Sequence, residues 1–339
     1  MGTRGHRLRS SDCTVAVTRN DVARLAGVST AVVSYVVNDG PRPVSPATRE
    51  RVLAAIAELG YRRDAIARNL RTGRTHSIGL VVPDIGLPYF GAITQQLVEC
   101  AFEAGHQMLI CTTSWLPERE HAQLAALAER RVDGVVLMSV DPLQDFSAVA
   151  ALGIPTVVVD RPEFAVRGTY RATAHLVGHG HSRIAFVGGG RGWVVSRRRR
   201  EGWAAALRDH DLPAPDELVL AAPCTRPGGY AAAAELLALK EPPTAVFAES
   251  DAQAVGILRC AHDHGLRVPD DLAVASGEGT ELAEFAIPSL TTLHQPIERI
   301  ARDAVAAVLA PGAGTMRRLD NEEFELVRRE SCGCGDRRR

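Results

Sequence analysis

Three side chains near the start of a predicted helix have the chemistry to contact the edges of base pairs. The helix covers residues 30–37, and four valines give it a packed side: Val32, Val33, Val36 and Val37. Thr30, Ala31 and Tyr35 point away from that side. Threonine and alanine suit contact with a thymine methyl group, and tyrosine donates or accepts one hydrogen bond. If this helix belongs to a DNA-binding motif and lies in the major groove, these three residues face the base edges.

A shorter helix and a tight turn position this helix. Val22, Leu25 and Ala26 recur at helical spacing and predict one apolar face. The segment Gly27-Val28-Ser29 predicts a turn, because glycine accepts left-handed backbone and Ser29 can cap the next helix. Two helices across a short glycine turn are typical of the helix-turn-helix motif, whose second helix lies in the major groove.

A third helix completes this unit. Ser45 and Pro46 supply a cap followed by a first-turn proline, and Gly60 ends the run. Between them, four apolar residues repeat at helical spacing: Val52, Leu53, Ile56 and Leu59. A three-helix bundle of about 45 residues is a plausible small folding unit.

The run from Val17 to Ile85 closely resembles the head, hinge and first core strand of LacI-type transcriptional regulators. Later segments continue the resemblance over residues 17–334: AHLVGHGHSRIAFVGG, VFAESDAQAVGIL, LTTLHQPIERIARDAV and ELVRRESCG. The resemblance implies a homodimer that binds a pseudo-palindromic operator on double-stranded DNA. Many family members carry arginine where Tyr35 stands, so we expect a different half-site preference.

The resemblance also implies DNA-backbone contacts in the head and a wedge in the hinge. Positions that hold phosphates are matched by Thr18, Ser29, Ser34, Asn38, Ser45 and Thr48. In the hinge, residues 62–75, Asn69 and Leu70 match the minor-groove segment. It folds when two copies meet on DNA, and a leucine at the position of Leu70 kinks the duplex. Arg63 replaces the usual proline, which implies a looser entry into the hinge.

From Ser77 onward, short apolar runs alternate with helical stretches. The predicted strands are 78–82, 108–111, 135–138 and 156–159, then 184–187, 218–221, 244–248 and 272–275. This alternation predicts two α/β halves with parallel sheets, and a cleft at the carboxyl ends of their strands. The resemblance implies a two-lobed fold like that of periplasmic binding proteins, with crossings near residues 161–165, 290–293 and 313–318.

The cleft predicts a site for a small molecule, and its candidate residues are Tyr89, Phe90, Asp160, Arg199, Asp251 and Glu278. Carboxylates that accept and an arginine that donates suit the paired hydroxyls of a sugar. Ser250 and Gly277–Gly279 depart from the family pattern, and the stretch from Asp160 to His181 is about nine residues shorter. The basic run Arg197–Arg200 leaves open either an anionic effector or a solvated patch.

Charge is distributed unevenly along the 339 residues, of which 46% are hydrophobic. Residues 1–75 hold 13 arginines and 6 acidic residues, a net charge of +7, whereas residues 76–339 carry −8. A basic head on an acidic body fits a DNA-binding module joined to a second module. The polar stretch 1–16 is predicted to be a disordered arm.

The seven cysteines are odd in number and scattered, and no secretory or membrane-spanning segment is recognised, which predicts a reduced, cytoplasmic protein. Cys332 and Cys334 have no nearby histidine or second cysteine pair in the sequence, so we predict no metal site. We expect His179 and His181 to be structural or exposed. No cofactor is implied.

These observations predict a transcriptional repressor, not an enzyme, because no G-x-S-x-G, H-E-x-x-H, Walker A or dinucleotide-binding motif occurs. Its predicted parts are an arm (1–16), a helix-turn-helix head (17–61), a hinge (62–75), a two-lobed effector and dimerisation domain (76–331) and a flexible tail (332–339). A sugar-recognising module without DNA function is the alternative, which the basic head disfavours. No heptad tail supports a coiled-coil tetramer.

Overall fold

The computed structural model describes residues 17–38, 42–61, 73–141, 145–159, 162–190, 193–310, 316–319 and 324–334. The chain divides into two compact units, Met1–Gly73 and Arg74–Arg339. The predicted arm and the hinge residues Asn69 and Leu70 lie outside the described residues. Among the helices of the described part, none is long and apolar enough to cross a membrane.

The first unit contains three helices: α1 (Arg19–Ala26), α2 (Thr30–Asn38) and α3 (Pro46–Leu59). Gly27 and Gly60 end α1 and α3 in left-handed backbone, with φ of 64° and 63°. The core between the helices consists of small side chains: Val22, Ala23, Ala26, Val33, Val36, Val52 and Ala55.

Two leucines predicted for the apolar faces of this unit are exposed. Leu25 is 46% exposed and Leu53 is 50% exposed. The expectation for both was wrong, because α2 and α3 pack against the side of α1 that carries Ala23, and Ala55 takes the interior position on α3. Helical spacing alone does not say which edge of an apolar stripe the neighbouring helices cover.

The second unit alternates strands and helices. Its first half contains β1 (Ser77–Val82), α4 (Pro88–Glu103), β2 (Gln107–Thr112), α5 (Pro117–Glu129), β3 (Gly134–Leu137), α6 (Ser147–Ala151) and β4 (Thr156–Val158). Its second half contains α7 (Pro162–Gly178), β5 (Ile184–Gly188), α8 (Val194–Asp209), β6 (Val219–Ala221), α9 (Arg226–Leu237), β7 (Ala245–Ala248), α10 (Asp251–Asp263), β8 (Ala273–Ser276), α11 (Glu281–Phe285) and β9 (Thr291–His294). The chain then forms α12 (Ile297–Leu309), β10 (Met316–Arg318) and β11 (Glu325–Val327).

These strands form two sheets, which define two lobes. The first sheet has the order β10-β4-β3-β1-β2 and is parallel throughout. The second has the order β11-β9-β8-β7-β5-β6 and is parallel except for β11, which runs antiparallel to β9. The predicted α/β class with two parallel-sheet lobes is confirmed. Central strands such as β3, β5 and β7 are buried along their whole length, as expected when helices cover both faces.

The chain passes between the lobes three times, a few residues away from the predicted positions. The first passage lies between β4 and α7. It was predicted near residues 161–165, but α7 already begins at Pro162. The second lies at 295–296, since residues 291–294 form β9 within the second sheet. The third follows β10, because residues 316–318 pair with β4 in the first sheet.

The C-terminal boundary also differs from the prediction. Residues 332–339 were expected to form a flexible tail, but Cys332 is only 2% exposed and ends a short 3-10 helix, Glu330–Cys332. Its side chain belongs to the core cluster that contains Leu176 and Trp203. The folded chain therefore continues at least through this residue.

Candidate DNA-binding surface and interlobe ligand site

The start of α2 presents the predicted base-contacting residues outside the core of the head. Thr30 and Ala31 are exposed and Tyr35 is half-buried, whereas Val33 and Val36 on the opposite side are buried. The helix therefore has one packed face and one face that leaves a threonine, an alanine and a tyrosine accessible. This arrangement is the one that a recognition helix requires.

Several predicted phosphate-contacting residues lie at helix N-termini. Thr18 precedes α1, and its backbone N–H and hydroxyl donate to the Asp21 carboxylate at 2.9 and 2.6 Å, which lowers the pKa of Asp21. Ser29 accepts a hydrogen bond from the Val32 N–H at 3.4 Å. Such termini present backbone N–H groups that favour anions.

The remaining phosphate candidates lie at α3 and along α2. Ser45 accepts from the Thr48 N–H at 3.3 Å and donates to the Thr48 hydroxyl at 2.9 Å. Ser45 is exposed, and Thr48 and Ser34 are half-buried. The side chain of Asn38 lies outside the described residues.

A cavity of about 90 Å³ lies between the two lobes of the second unit. Four of the six predicted effector residues line it: Tyr89, Phe90, Arg199 and Glu278. Aromatic side chains from both lobes add to the wall, namely Trp115, Phe164 and Trp193. The site therefore combines flat apolar surfaces with a few charged groups, the usual composition of a small-molecule site.

Two tryptophans that the sequence analysis did not select bridge the lobes beside this cavity. The rings of Trp115, which follows β2, and Trp193, which precedes α8, stack with centroids 3.7 Å apart and an interplanar angle of 13°. Phe90 meets Trp115 edge-on, with centroids 5.6 Å apart. A Cβ atom at Gly189 or Gly190 would lie 2.6 or 2.7 Å from the Trp193 ring, so only glycine leaves room for it.

The charged part of the wall is centred on Arg199. Its guanidinium lies 3.1 Å from Glu249 Oε1 and donates to the Glu249 carbonyl oxygen at 3.0 Å. Glu249 Oε2 accepts from the Gly189 N–H at 2.7 Å, and both charged side chains are buried. Glu249 also lines the cavity and was missed, although it directly follows β7, where polar residues at strand ends are expected to reach a cleft.

The basic run around Arg199 does not form a basic wall. Arg197 and Arg200 are exposed, and Arg200 pairs with Asp216 at 2.7 Å. Arg198 pairs with Glu201 at 2.9 Å. Within this run of four, Arg199 alone lines the cavity, because successive helical positions point in different directions.

Glu278 and Cys224 occupy the buried side of the cavity. Burial, together with the nearby Asp251 charge, raises the pKa of Glu278 to about 8. The carboxyl group is therefore largely protonated at neutral pH and can donate a hydrogen bond. Burial likewise raises the pKa of the Cys224 thiol, which keeps it neutral.

Asp251, a predicted effector residue, does not line the cavity, and its contact with an effector stays a prediction. Its carboxylate is fully buried and accepts hydrogen bonds from the hydroxyls of Ser276, Thr280 and Thr292 at 2.5, 2.8 and 2.8 Å. The Thr280 N–H adds another at 2.6 Å. These bonds tie the end of β8, the loop after it and β9 to the start of α10. The Asp251 N–H itself donates to Glu278 at 3.1 Å. Asp160 lies outside the described residues.

One further contact joins the cavity wall to a passage between the lobes. The Tyr89 hydroxyl donates to Gln295 Oε1 at 3.1 Å. Gln295 stands in the second passage, between β9 and α12, and lines the cavity. Gln295 was not among the predicted site residues, because this passage was expected a few residues earlier.

Two family models match the chain. Bacterial regulatory proteins of the lacI family match at residues 18–64, and the periplasmic binding protein-like domain matches at 173–332. The ribose operon repressor of Escherichia coli is 34% identical over 304 residues, covering 86% of this chain and 92% of that protein. The transcriptional repressor PurR of Haemophilus influenzae is 35% identical over 305 residues, covering 86% and 90%.

Solved structures are similar over nearly the whole chain. A Lac repressor dimer bound to operator and the anti-inducer ONPF gives a TM-score of 0.81 at 27% identity, covering 94% of this chain and 99% of that one. The complex of the transcriptional regulator CelR with cellobiose gives a TM-score of 0.66 at 31% identity, covering 93% and 99%. Together with the helix-turn-helix head and the two-lobed second unit, these similarities show that the chain belongs to the LacI family of bacterial transcriptional regulators.

Proposed function

We propose that this protein is a cytoplasmic, homodimeric transcriptional repressor whose operator affinity is controlled by a carbohydrate bound between its lobes. The observation that carries the effector part is the interlobe cavity, in which an aromatic wall faces the Arg199–Glu249 pair and Glu278. Two states of the lobes with unequal affinity for the ligand would couple the cavity to DNA binding.

The DNA-binding part rests on the head. Its sequence is basic, and α2 leaves Thr30, Ala31 and Tyr35 accessible beside three capped helix N-termini. We propose that two heads contact half-sites of a pseudo-palindromic operator. Asn69 and Leu70, outside the described residues, are proposed from the sequence to enter the central minor groove.

Exposed apolar side chains on the second unit support a homodimer. Phe285 and Ile287, at the end of α11, are 73% and 93% exposed. Phe102 on α4 and Ile110 on the edge strand β2 are also exposed. Exposed apolar side chains that lie together can mark an interaction surface, and a second copy of the chain would cover these in both lobes. The similar Lac repressor structure is a dimer.

A neutral polyhydroxylated ligand fits the cavity better than an anionic one. The sole arginine of the basic run that lines the cavity is already paired with Glu249, so it offers no free positive charge. Glu249 can accept from ligand hydroxyls, neutral Glu278 can donate, and the aromatic rings can stack on an apolar sugar face. The named ribose operon repressor and the CelR–cellobiose complex are consistent with this class.

A thermal-shift panel of sugars, sugar phosphates and nucleosides tests the effector class. A ligand that binds only the folded state stabilises it by roughly 2.7 kcal/mol at 100 times its dissociation constant. We expect a neutral sugar to raise the Tm more than its phosphate. Stabilisation by sugar phosphates or nucleosides alone would contradict the proposed class.

The DNA-binding role is tested separately, by measuring affinity for duplexes selected from a random pool at several salt concentrations. A protein that neutralises several phosphates loses affinity steeply as salt rises. We expect such a slope and an enriched two-fold symmetric sequence. A flat salt dependence without enrichment would favour a sugar-recognising module that does not act on DNA.

A further inference from the structure

Four potential metal ligands meet at the C-terminal end of α7, and none of them lines the interlobe cavity. They are His175, His179, Cys332 and Cys334, and their ligand atoms all lie within 4.8 Å of one another. His175 Nε2 lies 3.2 Å from Cys332 Sγ and 3.5 Å from Cys334 Sγ. His179 Nε2 lies 3.1 Å from Cys334 Sγ. The histidine nitrogens and the cysteine sulfurs therefore converge on one point.

Local backbone geometry produces this convergence. His175 stands in the last turn of α7 and His179 directly follows the helix, so the two rings lie one turn apart with centroids 4.7 Å from each other. Gly333 separates the cysteines and has φ of 91°, a left-handed conformation that turns both sulfurs toward the histidines. An alanine at this position would strain the turn.

The spacing matches tetrahedral coordination. With Zn–S bonds of about 2.3 Å and Zn–N bonds of about 2.0–2.1 Å, neighbouring nitrogen and sulfur ligands stand roughly 3.5–3.6 Å apart. The three nitrogen–sulfur distances of 3.1, 3.2 and 3.5 Å fall at or slightly inside that value. No two of the four ligand atoms lie more than 4.8 Å apart, so the side chains would move closer around a bound ion. Two imidazoles and two thiolates are a preferred ligand set of Zn²⁺.

Surrounding groups hold the ligands in place. The Thr291 hydroxyl on β9 donates to Cys332 Sγ at 2.9 Å, and Cys332 is buried in the core of the second lobe.

We propose that His175, His179, Cys332 and Cys334 form a zinc site that fastens the C-terminal segment to the end of α7. The ion replaces a thiol proton on each cysteine, so binding one Zn²⁺ releases up to two protons and leaves the site neutral overall. No metal site was predicted here because the histidines stand about 155 residues before the cysteines, and only the folded lobe brings them together.

The same helix connects this site to the cavity. Phe164, near the start of α7, lines the interlobe cavity, and His175 stands at the other end. The zinc site would thus anchor the helix that leads from the first passage between the lobes. The proposal does not depend on the identity of the effector or of the operator.

The test uses the full-length chain without a histidine tag, kept reduced and titrated with Co²⁺ and then with Zn²⁺. We expect one Co²⁺ per chain, with the intense visible bands of tetrahedral cobalt and a thiolate charge-transfer band, both lost when Zn²⁺ displaces the cobalt. Zn²⁺ should raise the Tm, and a chelator should reverse the rise.

Two variants at exposed positions test the ligands with little risk to folding, Cys334→Ser and His179→Ala. Each should lose the tetrahedral cobalt spectrum and at least tenfold in Zn²⁺ affinity. His181→Ala is the matched control, because His181 lies two residues away but contacts the Thr244 hydroxyl at 3.1 Å instead. It should keep the spectrum.

Three results would overturn the proposal. The first is that the reduced wild-type chain takes up no cobalt. The second is that both ligand variants bind cobalt with the spectrum of the wild type. The third is that the bound cobalt shows no thiolate band. A Cys332–Cys334 disulfide is the competing chemistry, and mass spectrometry after alkylation without reductant detects it. Should the reduced chain then fail to bind Zn²⁺, the pair is a redox pair and not a metal site.

Discussion

Trp115 and Trp193 stack face to face across the boundary between the two lobes, with ring centroids 3.7 Å apart. One ring belongs to each lobe, so the contact persists only while the lobes keep this separation. The cavity beside it measures about 90 Å³, well below the roughly 300–1,000 Å³ of typical ligand sites. We therefore expect a sugar-sized ligand to displace this stack as it enters, which would couple ligand binding to lobe geometry.

The first prediction concerns this stack. Trp115→Ala and Trp193→Ala should each abolish the exciton couplet that two stacked indoles give in circular dichroism. A double-mutant cycle should give a coupling of about 0.5–1.5 kcal/mol in unfolding free energy, the range for aromatic pairs. A couplet that survives either single change, or strictly additive effects, would show that the rings are not stacked in solution.

Arg199→Ala should destabilise the fold, not just the ligand site. The change leaves the buried Glu249 carboxylate without its partner, and such losses cost about 3–5 kcal/mol. The double variant Arg199→Met with Glu249→Gln should recover most of that stability in urea unfolding while losing effector binding. Equal stability of Arg199→Ala and the wild type would contradict the buried ion pair.

The third prediction concerns pH and Glu278. Burial raises its pKa from 4.5 to about 8, so the folded protein holds a proton that the unfolded chain releases. This contribution to stability is fully present below about pH 4.5 and is lost as the pH rises through 8. As the pH rises from 4.5 to 8, the unfolding free energy of Glu278→Gln should therefore increase relative to that of the wild type, by on the order of a few kcal/mol.

Urea unfolding of both proteins at a series of pH values measures this difference. Above about pH 8 the gain should level off, because the carboxyl group then ionises in both states. A stability difference that does not change with pH between 4.5 and 8 would mean that Glu278 is ionised in the folded protein.

Much of the fold was predictable because its signals are local. Buried parallel strands read as short apolar runs, and all eight predicted strands occur in the structure within about two residues. The turn at Gly27 and the cap at Ser45 were likewise each predictable from a single residue. The edge strands β10 and β11, three residues each, carry too little pattern to be recognised.

The site was only partly predictable because its residues meet through tertiary structure. Glu278 was predicted from its position after a strand, and Arg199 from its place in a matched motif. Trp115 and Trp193 follow no spacing rule. Asp251 has the same local context as a ligand-binding acid, yet it accepts hydrogen bonds from three hydroxyl groups, on β8, on β9 and in the loop between β8 and α11. The cluster of four potential metal ligands around Cys332 could not be predicted either, because its residues meet only in the folded lobe.

Tyr35→Phe tests the proposed base contact. Removing one hydroxyl should cost about 1 kcal/mol on the preferred operator and relax the preference at one base pair in each half-site. Non-specific affinity should not change, because phosphate contacts are retained. Ser45→Ala serves as a comparison that should weaken binding to all sequences similarly. If Tyr35→Phe lost affinity for every duplex, Tyr35 would contact the DNA backbone and not a base.

Leu70→Ala tests the proposed minor-groove wedge. We expect specific operator binding to fall by at least tenfold while non-specific binding changes little, since only the kinked operator receives the leucine. Fluorescence anisotropy with the selected operator and a scrambled duplex gives both affinities. An equal loss on the two duplexes would defeat the wedge assignment.

The most direct test of the central claim is the operator affinity of the full-length protein with and without the strongest ligand from the thermal-shift panel. Saturating ligand should change the operator Kd by roughly 5- to 150-fold in the wild type, the usual range of allosteric coupling. The Arg199→Met, Glu249→Gln variant should bind operator normally and show no change. An operator Kd that stays the same when the wild-type cavity is saturated would contradict control of DNA binding from the interlobe site.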